Sequence, residues 1–443
     1  MPMEQNDLRR AIGRWSLAAL MLNTMIGASI FGLPSLLAAH LGKQSSRAYF
    51  VAALGVGVIA ACLAEVSSQF RGTGGPYLYA RATFGRFAGI WVGWLLWLSR
   101  IAASSAVANL FISYVSQFFP GATIPVVRGI VLIVLIGFLA TVNYRGVTGG
   151  TLLNNFLTVT KLILLVLFAG GGLVAMLLHP AIQVTPETIS SSASDWFEAI
   201  ILMFYAYGGF ESALIASGES RDPRRDAPIA LLIALVTAAA LYTSVQYVVI
   251  HMLPNAATTA TPAADVAMRL VGPLGASLFT IAILVSIYGY LGANMLHTPR
   301  LTFAMGEQGD FPRFFAAVHP RFQSPHLSII AFALLLVVFS IAGSFRWNAI
   351  LSAASRLFVY GCIAAALPVL RRKNPSADAF RLPCGLFFAT LAVVVAALLV
   401  TRIHVAEITI IAATSIVAVI NWLSVRRKLG YAEIAARGGV GRA

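Results

Sequence analysis

Four ionisable residues of this chain sit inside stretches that are otherwise apolar. They are Arg100 in "WLLWLSRIAASSA", Lys161 in "NFLTVTKLILL", Glu211 in "FYAYGGFESA" and Arg356. At bilayer depth such a group costs at least about 2.5 kcal/mol on insertion scales, so each asks for a partner or a function. Arg100 has two readings. Its guanidinium can hold an anionic ligand side chain bidentately, or it can neutralise Glu211 or Glu65. The internal pair is the favoured one, because an unpaired arginine is costly whenever the site is empty. Glu211 either responds to protonation or braces the backbone around it. Lys161 lies about two turns from the end of its segment, within snorkelling reach of the surface. Glu65, a turn or two before Arg71, reads as structural, and the partner of Arg356 is not evident.

Two of the apolar stretches are interrupted. "NTMIGASIFG" (Asn23–Gly32), followed by Pro34, carries Gly27, Ala28 and Ser29 at its centre, and "FYAYGGFESA" carries Gly208 and Gly209. One reading is close helix packing through small residues. The other is chemical. Non-helical backbone survives at membrane depth only where it lines a cavity or binds something. The free N–H groups of one half-helix suit a carboxylate, and the free carbonyls of the other suit an ammonium or a small cation. Two facing breaks make a receptor for a zwitterion. Interrupted segments at corresponding places in two halves are also the sequence mark of a transporter built from inverted repeats.

These residues need a frame of spanning helices. Of 443 residues, 59% are hydrophobic and 11% charged, with mean hydropathy +0.84, which defines a polytopic membrane protein. We expect an all-α polytopic membrane protein of twelve spans: Ser16–Ala39, Tyr49–Phe70, Ile90–Phe118, Val126–Tyr144, Asn155–Leu178, Trp196–Ser217, Ala227–Leu253, Pro273–Ala304, Leu327–Gly343, Trp347–Leu370, Leu382–Thr401 and Val405–Ser424. The runs are continuous instead of alternating, which rules out a β-barrel.

The net charge of +15 is a matter of topology and implies no nucleic acid partner. With the N-terminus inside, most of the 31 Lys and Arg fall on that same side. Only Lys43, Arg47, Arg128, Arg269, Arg346 and Arg402 fall outside. This places both termini in the cytoplasm. The first apolar run is too long for a signal h-region and is expected to stay as an anchor. Cys62, Cys362 and Cys384 lie in or beside spans, so no disulfide framework is expected. There is no GxxxxGK[ST] phosphate loop for ATP drive, no cofactor motif, and no metal-ligand spacing among the seven histidines. Asp222 and Asp226 are surrounded by Arg221, Arg224 and Arg225, which reads as a salt-bridged loop.

Taken together, the motifs resemble those of the amino acid–polyamine–organocation (APC) transporters across nearly the whole chain. "IGASIFGLP" is similar to the family's first-span pattern and "GGFES" to its sixth-span pattern. "GTGGPYLYARATFG" (Gly72–Gly85), "GESRDPRRDAPIA" (Gly218–Ala230) and "AMGEQGDFP" (Ala304–Pro312) resemble its loop signatures.

The resemblance implies one transmembrane domain over 1–443 with a LeuT-like 5+5 inverted repeat, 16–178 and 196–370, and two extra helices over 382–424. It implies a substrate site in which the amides of Gly27, Ala28 and Ser29 hold a carboxylate. Carbonyls from Thr24 to Ile26 and from Tyr205 to Gly208, beside Gly209, would meet the amino group. Tyr207 takes the place of an aromatic gate, with Arg100 and Asn294 facing the cavity and His297 near it. The family's Gly-Ser-Gly break reads Gly27-Ala28-Ser29 here, which shifts the side-chain hydroxyl.

Lys161 stands where sodium-driven relatives bind a cation, so its protonation would couple transport to protons, with Glu211 as a second coupling or gating group. The implied function is secondary active uptake of an amino acid across the bacterial inner membrane, proton-coupled, with a neutral substrate placed first and an acidic one second. An exchanger is the alternative. A membrane-embedded enzyme would need clustered chemistry at the membrane face, which the scattered acids do not supply, and a channel would show conductance without saturable counterflow. The partners expected are the amino acid, the proton and the bilayer; the residues do not specify an oligomeric state.

Overall fold

Apolar runs of this length become helices because the helix satisfies every backbone polar group within one segment. A computed structural model describes residues 13–70, 75–145, 150–211, 223–373 and 379–439, and among them the chain is helical with no strand. The inner half of the sixth predicted span after Glu211, with residues 218–222 of the following link, lies outside the described residues, as do Gly72 to Gly74.

The helices are α1 (Arg14–Met25), α2 (Leu33–Leu41), α3 (Ser45–Ser68), α4 (Gly75–Phe84), α5 (Arg86–Val115), α6 (Pro125–Tyr144), α7 (Gly150–Leu178) and α8 (Ala193–Tyr207). They continue with α9 (Pro223–Met252), α10 (Pro262–Glu307), α11 (His326–Ala342), α12 (Phe345–Lys373), α13 (Gly385–Val400) and α14 (Val405–Gly439).

Eight described helical stretches are long and apolar enough to cross a membrane, α11 and α13 being shorter apolar helices. The chain is therefore a multi-pass membrane protein. The long α10 bends at Gly272 (φ 73°), immediately before Pro273, so its membrane part begins where the apolar run begins. α5 and α12 pack against each other at the centre of the bundle, while α6 shows most of its surface outward. This division follows composition: α5 and α12 carry the small and polar residues (Ser99, Ser104, Ser105, Ser352, Ser355) that a helix surrounded by protein tolerates.

The first predicted span is two helices. α1 stops at Met25, Gly27 is extended (φ −82°, ψ −173°), and residues Ala28–Phe31 make one 3₁₀ turn before α2. Pro34 stands in the first turn of α2, where its missing N–H costs nothing. The sixth span breaks in the same way. α8 ends at Tyr207, Gly208 is extended and Gly209 takes φ +118°, a conformation closed to L side chains.

The two breaks touch. A Cβ on Gly209 would overlap the Thr24 carbonyl oxygen, and a Cβ on Gly208 would overlap the Arg356 guanidinium. The Tyr242 hydroxyl of α9 lies 2.9 Å from Met25 O and 3.2 Å from Ala206 O, serving the end of α1 and the end of α8 together.

Ion pairs hold the ends of the bundle. Glu65 accepts from Arg371 Nε and Nη2, each at 2.7 Å, and from Leu382 N at 2.8 Å, tying α3 to α12 and α13. Asp310, its side chain fully buried just after α10, pairs with Arg81 Nη1 at 2.9 Å and with Arg86, and accepts from the Tyr77 hydroxyl. Arg14 pairs with Asp226 at 3.3 Å.

Two substitutions follow from this packing. Gly208→Ala meets the end of a side chain, the Arg356 guanidinium, whereas Gly209→Ala meets backbone and a forbidden φ. Thermal melts in detergent are expected to show Gly209→Ala the more destabilised, by about 1–3 kcal/mol of strain alone; equal melting temperatures would contradict the packing of the breaks. Asp310→Ala takes the carboxylate from two partly exposed arginines that keep Tyr77, Gln308 and Gly309 as partners, and is expected to cost about 1–3 kcal/mol. A melting temperature equal to that of the wild type would remove Asp310 as the clamp between α4, α5 and the end of α10.

Candidate substrate site between two broken helices

The site is built from backbone before side chains. In a 3₁₀ turn the first N–H groups have no carbonyl behind them, and here those are the amides of Ala28 and Ser29, with Gly27 extended ahead of them. On the facing side, α1 and α8 end in carbonyls. Asn23 O accepts from Lys161, and Met25 O takes the Gly27 amide at 2.8 Å. Tyr205 O takes the Gly208 amide at 3.3 Å.

Residues of both breaks surround a small cavity, lined by Thr24, Met25, Gly27, Ala28, Ser29, Tyr205, Ala206, Gly208, Gly209, Arg100, Val107, Tyr290 and Arg356. It has space for about one water molecule, so a larger ligand requires the surrounding helices to part.

Four charged side chains gather behind or beside the cavity. Glu211, buried at 3% exposure, is the hub. Its Oε2 accepts from Gly209 N at 2.9 Å and from the Tyr360 hydroxyl at 3.0 Å. Its Oε1 lies 3.5 Å from Arg100 Nη2 and 3.8 Å from Arg356 Nε. Glu211 thus braces the break backbone and shares its charge between two arginines. Arg356 also donates from Nε to Ser99 Oγ at 2.9 Å, and its Nη1 is buried with no hydrogen-bond partner. Lys161 stands on the other side of α1, with Nζ 3.1 Å from Asn23 Oδ1 and 3.3 Å from Asn23 O. It touches the last turn before the first break and does not enter the cavity.

The structure does not bring every expected residue together. Tyr205 lines the cavity and donates to Ala103 O at 3.3 Å, but Tyr207 does not line it. The two are 200° apart on a helix, so only one can face the ligand. Tyr207 instead donates to Tyr49 O at 3.1 Å and packs with Tyr49 and Tyr242 in an aromatic cluster. Asn294 is likewise off the cavity. It donates to Tyr290 O at 3.0 Å, one turn back, and that turn of about 6 Å is what separates it from the site. The Ile26 side chain is buried in the apolar core, leaving its backbone alone near the break, and His297 is exposed outside the lining.

Arg100 is directed at Glu211, while Glu65 takes Arg371 as its partner. Tyr290, Val107 and the role of Arg356 escape a reading by motif. Tyr290 was signalled only by its i, i+4 relation to Asn294. Arg356 was signalled only by being a charge in an apolar run. Among the described residues, no three metal-ligating side chains converge.

The amino acid permease family matches residues 12–423. The methylthioribose transporter of Bacillus subtilis (strain 168) is 28% identical over 403 residues, covering 86% of this chain and 85% of its own. The serine/threonine exchanger SteT of the same organism is 29% identical over 362 residues, covering 77% and 79%. The arginine/agmatine antiporter of Chlamydia caviae is 25% identical over 388 residues, covering 83% and 79%. With a family match running over nearly its whole length, this chain belongs to the amino acid permease family of the APC superfamily.

Proposed function

We propose that this permease is a secondary active transporter of amino acids that works by alternating access around its two helix breaks. The observation that carries this reading is the contact of the breaks themselves, Gly209 against the Thr24 carbonyl, with residues of both breaks lining one cavity. An α-carboxylate fits the amides of Ala28 and Ser29. An α-ammonium fits the helix-end carbonyls opposite. The small volume of the cavity fits an occluded arrangement, from which α2 and α8 part on one side and α1 on the other.

The same reading takes the frame as twelve spans, a 5+5 inverted repeat over 16–178 and 196–370 and two further helices over 382–424, in one transmembrane domain. The charge bias supports cytoplasmic termini, in a bacterial inner membrane.

Coupling to protons is proposed to run through Lys161. A protonated amine offers three donors, and two of its acceptors here belong to Asn23, in the last turn of α1. Loss of the proton removes the charge that holds this turn against α7, so protonation and the position of the break are linked. Exchange is the second reading. The names of two relatives, an exchanger and an antiporter, favour it, and it needs no dedicated ion site.

Uptake into proteoliposomes separates the two. With empty liposomes, an inward proton gradient is expected to drive accumulation by the wild type, and Lys161→Ala is expected to lose the gradient dependence. Gradient-independent uptake by both proteins would take Lys161 out of the mechanism. Uptake that appears only when amino acid is preloaded inside would establish exchange instead. A thermal-shift screen of the purified protein is expected to give hits among amino acids, because a ligand that binds only the native state raises the melting temperature. Hits confined to sugars or polyamines would overturn the amino acid reading.

A further inference from the structure

We infer that the buried guanidinium of Arg356 is a ligand for a second acid group of the substrate, so that the permease selects dicarboxylic amino acids over their neutral amides. The inference rests on the proposed transport function and names the substrate class of that same site.

Three observations carry it. Arg356 lines the cavity at 3% exposure, and its Nη1 has no hydrogen-bond partner. A buried guanidinium N–H left unpaired is expensive, and the cost is relieved when a ligand brings an acceptor. Secondly, Glu211 is already committed. Its two oxygens face Gly209 N, Tyr360, Arg100 and Arg356 Nε, which fills the acceptor sites of one carboxylate. Among the described residues Glu211 is the carboxylate that faces the Arg356 guanidinium, and Lys161 behind α1 brings a further positive charge near the cavity. Thirdly, the amides of Ala28 and Ser29, to which the proposed function assigns the α-carboxylate, belong to a different element from the guanidinium, the first-span break as against α12. When the α-carboxylate takes the amides, Arg356 is left for a different group.

A carboxylate meets that demand better than an amide. It is acceptor-only and sets two negative oxygens against the guanidinium, where an amide offers one neutral acceptor oxygen beside two N–H donors that the guanidinium repels. A cationic side chain is opposed by the same charges, which sets this chain apart from a relative named for arginine and agmatine. Arg356 can occupy its place because the chain facing it is glycine, Gly208, and because α5 and α12 present Ser99 and Ser352 where larger residues would exclude it.

The test is ligand-dependent thermal stabilisation of the full-length wild-type protein in detergent, at neutral pH. Aspartate and glutamate would be titrated beside asparagine, glutamine, leucine, serine and arginine, and radiolabelled uptake measured on the same set. The acids are expected to half-saturate at concentrations at least about tenfold lower than their amides, a difference of about 1.4 kcal/mol. Arg356→Gln is expected to bring acid and amide within about twofold, and Arg356→Lys to keep part of the preference. Equal saturation by acids and amides in the wild type would overturn the inference, as would an undiminished preference in Arg356→Gln. The wild-type comparison decides even where Arg356→Gln fails to fold. Neutral amino acids binding and crossing while the acids do neither would defeat this inference alone, and no stabilisation or uptake by any amino acid would defeat the transport reading beneath it.

Discussion

A backbone N–H or C=O in hydrocarbon has no water to turn to, and this constraint organises the whole molecule. Elsewhere in the bundle helices satisfy it locally. At the two breaks it is met by tertiary contacts instead. The Tyr242 hydroxyl serves Met25 O and Ala206 O, Lys161 serves Asn23 O, and Glu211 serves Gly209 N. Without these partners the open turns would be too costly to keep.

The same contacts make the site. α9, α7 and Glu211 supply partners to the backbone of the breaks from outside the cavity. Ala28 and Ser29, the first residues of the 3₁₀ turn, line the cavity, where the proposed carboxylate site calls for them. Glu211 is the pivot. Its carboxylate meets the backbone at Gly209 and the two arginines, so the charge balance of the cavity and the shape of the sixth break depend on one side chain. Movement of the sixth-span break therefore disturbs the arginines, which in the proposed transporter links opening to substrate charge.

The peripheral pairs have a different character. Glu65 with Arg371, and Asp310 with Arg81 and Arg86, lie at one end of the bundle and join helices distant in sequence. They stand away from the cavity lining. They fasten the surrounding helices to one another through carboxylates that are buried and matched by arginines.

Much of this was legible in residue order. The apolar runs imply helices because their length and continuity leave no other spanning structure, and Gly27, Gly208 and Gly209 mark the breaks because only special backbone tolerates glycine there at such a cost. The family motifs place the open amides. The tertiary structure alone decided which side chains reach the cavity. Tyr205 rather than Tyr207, and Tyr290 rather than Asn294, follow from helix rotation and rise, and sequence spacing does not set the rotation of a helix against its neighbours. It also decided that Arg100 and Arg356 share Glu211, leaving Arg356 Nη1 buried without a partner. These residues lie more than a hundred positions apart, and only the packing of α5, α8 and α12 sets the distances on which their charges act.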